Sequence, residues 1–219
     1  MIIYLYVEGE TEVQALPKVL AGLYATRQIK KPISLGGSLF KRIGRTAAEI
    51  LARRADAHAF ACPDLAPKKP YLGTPREYHS YEQLQAVLRR EVKNALEALA
   101  SPRAAADLIT RFHAHPFRHD FEVVLLALPE RLGPYLRTQT DLTERYRKSP
   151  EDQDFDDYPS RVVNRLFNEF AHTRYRKADD ARRVLDGATE EDLDLVCTRC
   201  PRFAEFVAAL RQLLIPLGA

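Results

Sequence analysis

Carboxylates are concentrated near the start of the chain, in the stretch Val7-Glu-Gly-Glu-Thr-Glu12, which places Glu8, Glu10 and Glu12 within five residues. Carboxylates at this spacing repel one another unless a cation or a basic partner offsets their charge. Mg²⁺ or Mn²⁺ is the natural cation, because hard divalent metals prefer oxygen ligands. The alternative is the acidic first turn of a helix, which the helix macrodipole favours, with Thr11 as its cap.

Further acids that could complete such a site follow later in the chain. Asp64 comes after the apolar run that starts at Ala57, and Asp120 and Glu122 precede the apolar run that ends at Leu128. A metal held by acids neutralises charge on a phosphate and activates water, so this set of residues points to metal-dependent phosphoryl transfer. Asp120 and Glu122 could instead occupy the favourable first turn of a buried helix.

Basic residues near the end of the chain are candidates for holding a phosphate. Ser160 and Arg161 follow Pro159 at a predicted helix start, where backbone N–H groups and the guanidinium could bind a phosphate. The segment 174–177, Arg-Tyr-Arg-Lys, is the most basic aromatic cluster and suits nucleic-acid contact. The alternative for Ser160 and Arg161 is an ordinary helix start, and the alternative for the segment 174–177 is a solvated face.

Three other features allow alternative sites. The loop predicted for residues 65–80 contains basic and aromatic residues that could hold a phosphate backbone and stack bases, namely Lys68, Lys69, Tyr71, Arg76 and Tyr78. A solvated connection is the other interpretation of this loop.

Three histidines could bind zinc if the backbone brought them together, namely His113, His115 and His119. The pair Cys197 and Cys200 lacks a second pair of ligands, so burial at a helix junction is expected.

The elements that must position these residues follow an alternating pattern. Short apolar runs predict strands over 1–7, 32–37, 57–64 and 108–116. Helical periodicity predicts helices over 13–26, 39–55, 80–100, 119–128, 160–171 and from 201 onward. Alternation of this kind is typical of a parallel sheet, whose ligands bind at the carboxyl ends of the strands. Glu8 and Asp64 are therefore expected at equivalent ends of neighbouring strands. We predict an α/β core over residues 1–130 and a helical annex over 131–219 that packs on it.

Composition excludes some classes of protein. The chain has 219 residues, of which 46% are hydrophobic, enough for one substantial core with a helical annex. No apolar run approaches the roughly 18 residues needed to cross a bilayer, and three cysteines argue against a disulfide framework. We therefore expect a cytoplasmic protein without a membrane segment. The net charge of +3 permits nucleic-acid binding without requiring it.

Five short motifs, in the same order and at similar spacing over nearly the whole chain, resemble those of a prokaryotic Toprim-like family. That family shows approximately V-E-G-x-T-E, H-E-F-E-A-L-L-F, P-S-K-R-I, Y-x-K and C-P-R-F. This chain shows Val7-Glu-Gly-Glu-Thr-Glu12, His119-Asp-Phe-Glu-Val-Val-Leu-Leu126, Pro159-Ser-Arg-Val162, Tyr175-Arg-Lys177 and Cys200-Pro-Arg-Phe203. An acidic turn after the first strand and an acid after the third also resemble the Toprim domain of topoisomerases, primases and overcoming-lysogenization-defect nucleases.

The resemblance implies a Rossmann-like α/β fold of the Toprim type, with a mostly parallel sheet sandwiched by helices and a C-terminal helical annex. It implies a hydrolase, a Mg²⁺- or Mn²⁺-dependent nuclease that cleaves the phosphodiester bonds of DNA or RNA. We predict that the catalytic residues are Glu8 and Asp64. The predicted metal ligands are Glu8, Glu12, Asp64 and Glu122. The predicted substrate-binding residues are Ser160, Arg161 and Lys177.

The resemblance also implies partners. Members of the family are often encoded beside ATPases of the ABC type in mobile or phage-defence settings. It therefore implies nucleic acid as a substrate, an ATPase partner, and a role as the effector of a phage-defence or toxin system, with a homo-oligomer left open.

The chain departs at one position from the Toprim pattern and at another from the middle motif of the prokaryotic family. Toprim domains have Asp-x-Asp after the third strand, whereas here Ala66 stands two residues after Asp64, and Asp120 replaces the Glu of the middle motif. These departures favour an alternative function, a catalytically degenerate interaction or sensor subunit that acts by docking to an ATPase.

Overall fold

The computed structural model describes residues 1–65, 73–146, 148–153 and 158–214. The chain forms two compact units, one of Met1–Gly9 and Arg27–Pro116 and the other of Glu10–Thr26 and Phe117–Ala219. The predicted domains, 1–130 and 131–219, stay a prediction. Among the described residues no helix is long and apolar enough to cross a membrane.

The strands and helices alternate in the first half of the chain, and helices dominate the second half. The strands are β1 (Ile2–Val7), β2 (Ile33–Ser34), β3 (Ala57–Cys62) and β4 (Phe112–Ala114). The α-helices are α1 (Glu10–Val19), α2 (Ala21–Tyr24), α3 (Leu39–Arg53), α4 (Tyr81–Leu99), α5 (Pro102–Leu108), α6 (Val123–Leu126), α7 (Pro129–Tyr135), α8 (Thr143–Tyr146), α9 (Pro159–Leu166), α10 (Lys177–Val184), α11 (Glu190–Arg199) and α12 (Pro201–Leu213). Short 3₁₀ segments occupy Gly36–Ser38, Ile109–Arg111 and Pro150–Asp152, and a π-helical turn, Phe167–Ala171, continues α9.

The first unit contains a four-stranded sheet in the order β2-β1-β3-β4, and every strand pair in it is parallel. The α/β prediction is therefore confirmed. β1 and β3 pair along their full length because both are apolar runs without glycine or proline. β4 is shorter than predicted, because Ile109–Arg111 forms a 3₁₀ turn and the Arg111 guanidinium donates to the carbonyl oxygens of Leu51 and Ala57 instead.

Helices α3 and α4 pack against each other and against one face of this sheet. Their backbones approach closely at Gly44, where an added Cβ would lie 2.8 Å from the Glu91 carbonyl oxygen. Ser80 caps α4 by accepting a hydrogen bond from the Gln83 N–H, as its residue type favours.

Part of the predicted phosphate-binding loop serves packing instead. Tyr78 is buried and stacks on Phe40 with ring centroids 5.6 Å apart, and Arg76 pairs with Glu91 at 2.8 Å. Tyr78 is therefore not placed to stack a base, and the Arg76 guanidinium has a carboxylate partner within its own unit. The other residues of that hypothesis, Lys68, Lys69 and Tyr71, lie outside the described residues, as does Ala66.

In the second unit α1 packs against α10, and Lys18 Nζ lies 2.6 Å from Asp186 Oδ1. The helix predicted over 13–26 is interrupted, because α1 ends at Val19 and α2 begins at Ala21. Pro17 lies two residues before this end, and its missing N–H removes one bond of the helical ladder.

An aromatic cluster of the second unit joins the segment before α6 to α12. Phe117 packs edge-on against Phe121 at 5.5 Å and against Phe206 at 6.3 Å, and all three side chains are buried. Glu151 accepts hydrogen bonds from the first free backbone N–H groups of α12, those of Arg202 and Phe203. Because Phe117 and Phe121 are buried in this cluster, they hold in place the segment that carries Asp120 and Glu122.

Candidate functional site

The first unit places Glu8 and Asp64 beyond the carboxyl ends of neighbouring parallel strands. β1 ends at Val7 and β3 ends at Cys62, and these two residues are paired directly across the sheet. Both acids therefore lie at one edge of the sheet, as expected. Glu8 is buried, and its carbonyl oxygen accepts a hydrogen bond of 3.0 Å from Ser34 Oγ. The catalytic and metal-binding roles of the two acids stay predictions.

The second unit brings three further acids into one electrostatic group. Glu12 lies in the first turn of α1, and Glu122 immediately precedes α6. Glu12, Asp120 and Glu122 are 4%, 5% and 2% exposed. Burial raises the pKa of Glu122 to about 8; the Asp120 charge is the second cause and the Glu12 charge a smaller one, while Lys177 lowers the pKa. Glu122 therefore holds a proton at neutral pH unless a cation replaces it.

A strained backbone precedes the acids at His119. Its φ is 71°, in the left-handed region that non-glycine residues seldom adopt, and its side chain is buried. The helix predicted from residue 119 starts only at Val123, so Asp120 and Glu122 occupy a turn rather than a helix. Such strain persists only where the surroundings hold it. Packing therefore fixes the conformation of the turn that carries both acids.

Asp120 also connects this turn to helix α9. Helix α9 begins at Pro159, which has no N–H, and its N-cap residue Tyr158 provides no side-chain cap. Asp120 Oδ2 instead accepts a hydrogen bond of 3.2 Å from the Ser160 N–H. The carboxylate therefore lies at the positive end of α9, which stabilises its charge.

Lys177 is the basic partner of the acids. Its Nζ lies 3.5 Å from Glu122 Oε1, and the side chains of Lys177 and Glu122 are 56% and 3% exposed. Tyr175 lies nearby and is buried, and its N–H donates to Asn164 Oδ1 at 3.1 Å. Burial, with the charges of Glu122 and Asp120, raises the pKa of Tyr175 well above its usual value. The Tyr175 hydroxyl therefore stays protonated and cannot act as a base.

A basic pocket of about 550 Å³ opens beside Lys177. It is lined by Ser160, Arg161, Asn164, Arg165, Arg174, Tyr175 and Lys177. Four cations around one opening, with no carboxylate in its lining, suit a bound phosphate. The Arg161 guanidinium also lies over the ring of Tyr158, 5.2 Å from its centroid. The structure thus brings together the three residues predicted to bind substrate, Ser160, Arg161 and Lys177.

The carboxylate oxygens of the second unit are ligands of the type that a hard divalent cation prefers, but too few of the described ones are grouped to coordinate the cation completely. Asp120 Oδ1 is buried and accepts no hydrogen bond from any described residue, and Glu122 Oε1 is buried with the Lys177 ammonium 3.5 Å away. Within the described ranges, no three His, Cys, Asp or Glu side chains are arranged to hold a metal ion. Mg²⁺ is commonly held by only one or two carboxylates together with waters and substrate phosphates. Asp120 and Glu122 fit that simpler arrangement.

Sequence reasoning omitted several residues of this group. The predicted metal ligands do not include Asp120, and the predicted substrate-binding residues do not include four residues of the pocket lining, namely Asn164, Arg165, Arg174 and Tyr175. Residues three and four apart share a helix face, so Asn164 and Arg165 could have been found from Arg161 alone. The contact between Asp120 and Ser160 has no such local signal, because the two residues lie 40 positions apart.

The alternative zinc site has no support in the described parts of the chain. His113 Nε2 lies 3.1 Å from His58 Nδ1, and His113 stacks on Phe60 with centroids 4.4 Å apart. Burial lowers the pKa of His113 and of His115 to about 4, so both rings stay neutral at physiological pH. Of the two cysteines expected to be buried, Cys200 is buried, with its Sγ 3.8 Å from the Val123 carbonyl oxygen, whereas Cys197 is only partly buried.

Comparisons with known proteins find one matching family and two similar solved structures of one protein. The model of the family described as "Domain of unknown function (DUF4276)" matches residues 7–211. Two solved structures of the C-terminal region of the Xanthomonas campestris pv. campestris OLD protein are similar, one phased with mercury and one with platinum. Both are 14% identical, with TM-scores of 0.47 and 0.45; they cover 94% and 96% of this chain and 96% of their own. No curated protein matches the chain.

Proposed function

We propose that this chain, which belongs to the family described as Domain of unknown function (DUF4276), is a nuclease that hydrolyses phosphodiester bonds with Mg²⁺ or Mn²⁺. One observation carries the proposal. Buried carboxylates and a basic pocket meet in the second unit, where Asp120 bonds to Ser160 and Glu122 pairs with Lys177. Phosphoryl transfer needs this combination, because the metal and the cations together stabilise the charge that develops on the phosphate.

Each residue has a distinct role in this proposal. Arg161 and Lys177 hold the phosphate, since both line the basic pocket. Glu122 and Glu12 contribute negative charge that attracts the cation, and Asp120 joins them as a further ligand.

Glu8 and Asp64 are assigned to catalysis and metal binding on a separate observation. Both follow strands of a parallel sheet at its carboxyl edge, where ligands bind in α/β folds. Glu8 is the metal ligand or general base and Asp64 a metal ligand.

A cleavage assay tests the proposal. The purified chain is incubated with DNA and RNA, single- and double-stranded, in Mn²⁺, in Mg²⁺ and with a chelator. We expect metal-dependent cleavage that falls at least about 100-fold in Glu8→Gln and in Glu122→Gln, since each roughly 1.4 kcal/mol of lost transition-state stabilisation slows a reaction tenfold. Glu10→Gln is the matched control, because Glu10 is exposed and, among the described residues, accepts a side-chain hydrogen bond from Gln14 of its own helix alone. Equal rates in wild type and both test variants contradict the catalytic assignment.

A second candidate function is an interaction or sensor subunit that docks to an ABC-type ATPase in a phage-defence or toxin system. It is favoured by the sequence, in which Ala66 stands where Toprim domains have a second acid. Co-purification of the chain with the ATPase encoded beside it tests this function. If Glu8→Gln still binds the ATPase and its cellular toxicity persists, while no cleavage is seen with the wild type, the docking function replaces the nuclease.

A further inference from the structure

Lys177 belongs to two features at once. It lines the basic pocket, and its Nζ lies 3.5 Å from Glu122 Oε1. It is also the first residue of α10, where the helix macrodipole disfavours a cation. The preceding Arg176 is offset by Asp179 and Asp180 of the same helix, at 3.2 and 2.7 Å. Lys177 therefore stands at a helix position that the macrodipole does not favour for a cation.

The pair between Lys177 and Glu122 is asymmetric. The Glu122 side chain is almost completely buried, whereas more than half of the Lys177 side chain is exposed. A lysine has a flexible four-carbon stem, so its ammonium group can move several ångströms without a change in the backbone. The Glu122 carboxylate is fixed in the turn before α6 and cannot follow. Movement of the ammonium into the pocket therefore leaves the buried Glu122 carboxyl group without this partner, so that a divalent cation can take the place of the ammonium.

We propose that Lys177 exchanges between the Glu122 carboxylate and a phosphate in the basic pocket, so that phosphate binding and divalent-cation binding at Asp120 and Glu122 strengthen each other. This inference rests on the proposed function and adds a coupling between its two ligands. A phosphate in the pocket attracts the ammonium and leaves the carboxylates to the cation. A cation at the carboxylates displaces the ammonium and leaves it to the phosphate. Linkage requires the two effects to be equal in size.

The coupling is measured by binding, without turnover. Free Mn²⁺ is followed by its electron paramagnetic resonance signal during titration of the full chain, with and without a saturating thymidine dinucleotide that carries one phosphodiester. We expect the dinucleotide to tighten Mn²⁺ binding at least about fivefold, the lower limit of typical allosteric coupling. Titration of the dinucleotide with and without saturating Mn²⁺, followed by calorimetry, should give the same factor.

Two variants separate exchange from a general effect of charge. Lys177→Gln should bind Mn²⁺ more tightly than wild type when the dinucleotide is absent, because no ammonium competes for Glu122. Its coupling factor should fall below about twofold. Arg174→Gln removes one charge from the same pocket, and Arg174 pairs with no carboxylate among the described residues. That variant should bind the dinucleotide more weakly but keep the coupling factor of the wild type.

The outcomes distinguish this inference from the function on which it rests. If the wild type binds both ligands independently, or if Lys177→Gln keeps the coupling, the exchange is wrong and the nuclease proposal stands. If the wild type binds neither Mn²⁺ nor the dinucleotide, the proposed function fails and the exchange fails with it.

Discussion

Asp120 Oδ2 accepts a hydrogen bond from the Ser160 N–H at 3.2 Å, although the two residues lie 40 positions apart. This contact joins the acidic turn before α6 to the first turn of α9. The same carboxylate thus contributes to the cation-binding group and supplies the cap of the helix that lines the basic pocket.

Substitutions of Asp120 should separate these two contributions. Asp120→Ala removes the cap, so the free energy of unfolding should fall by about 1 to 2 kcal/mol, the usual range for a lost helix cap. Asp120→Asn keeps an acceptor for the Ser160 N–H and should stay within about 0.5 kcal/mol of wild type. Both variants should bind Mn²⁺ more weakly. Urea unfolding measures the stabilities, and equal losses in the two variants would rule out the capping role.

Glu122 should make the protein less stable as the pH rises. Because burial raises its pKa from 4.5 to about 8, the folded chain keeps a proton that the unfolded chain releases between these values. The stability contributed by this group is therefore complete below about pH 4.5 and is lost as the pH rises toward 8, by at most about 1.4 kcal/mol per pH unit.

Glu122→Gln removes this dependence. Its stability relative to wild type should rise between about pH 5 and 8 and then level off, as measured by urea unfolding across that range. The control Glu10→Gln should parallel the wild type. A constant difference between Glu122→Gln and wild type would show that Glu122 does not hold a proton in the folded chain.

Gly44 is expected to be required for the packing of α3 on α4. A Cβ at this position would lie 2.8 Å from the Glu91 carbonyl oxygen, which belongs to the backbone and cannot turn aside. Gly44→Ala should therefore lower the free energy of unfolding by about 1 to 3 kcal/mol. Gly37→Ala is the matched control, since no atom lies within 4 Å of its added Cβ and its φ is not positive. Thermal unfolding measures the midpoints of both variants, and equal midpoints would contradict the prediction.

Arginines of the basic pocket should govern the salt dependence of nucleic-acid binding. Arg165→Gln and Arg174→Gln each remove one phosphate contact, so the slope of log affinity against log salt for single-stranded DNA should shrink by about 0.7 for each. Arg45→Gln is the control, because Arg45 lies in the first unit and pairs with Glu49 of its own helix. Fluorescence anisotropy at several salt concentrations gives the slopes. Slopes that do not differ between wild type and the pocket variants would contradict phosphate binding there.

Elements with a strong local pattern were predictable from sequence. Helix α3 was predicted over 39–55 and spans Leu39–Arg53, and β3 was predicted over 57–64 and spans Ala57–Cys62. The helix predicted over 119–128 is reduced to Val123–Leu126, because a tertiary contact of Asp120 and the left-handed backbone of His119 override the helical pattern. Periodicity is a local property and contains no information about such contacts.

The candidate site was predictable in its residue types but not in its grouping. Glu122, Arg161 and Lys177 were chosen for their chemistry, and the structure places them around one acidic turn and one pocket. Arg174 was noted only as part of a basic cluster. The position of Arg174 in the pocket depends on the turn that the backbone makes after α9, where His172 adopts the left-handed conformation with a φ of 51°. A reversal of this kind has no distinct sequence signal when the residue is not glycine.

The packing of α1 against α10 has a consequence for folding during synthesis. Lys18 and Asp186 are 168 positions apart, so α1 leaves the ribosome long before the helix that covers it. At about 5 to 20 residues per second, the interval is roughly 10 to 30 s. During that time α1 lacks the helix that packs on it, whereas β1, immediately before α1, can pair with β3 as soon as Ala57–Cys62 has left the ribosome. In the nascent chain, β1 can therefore pair with β3 before α10, the partner of α1, has been synthesised.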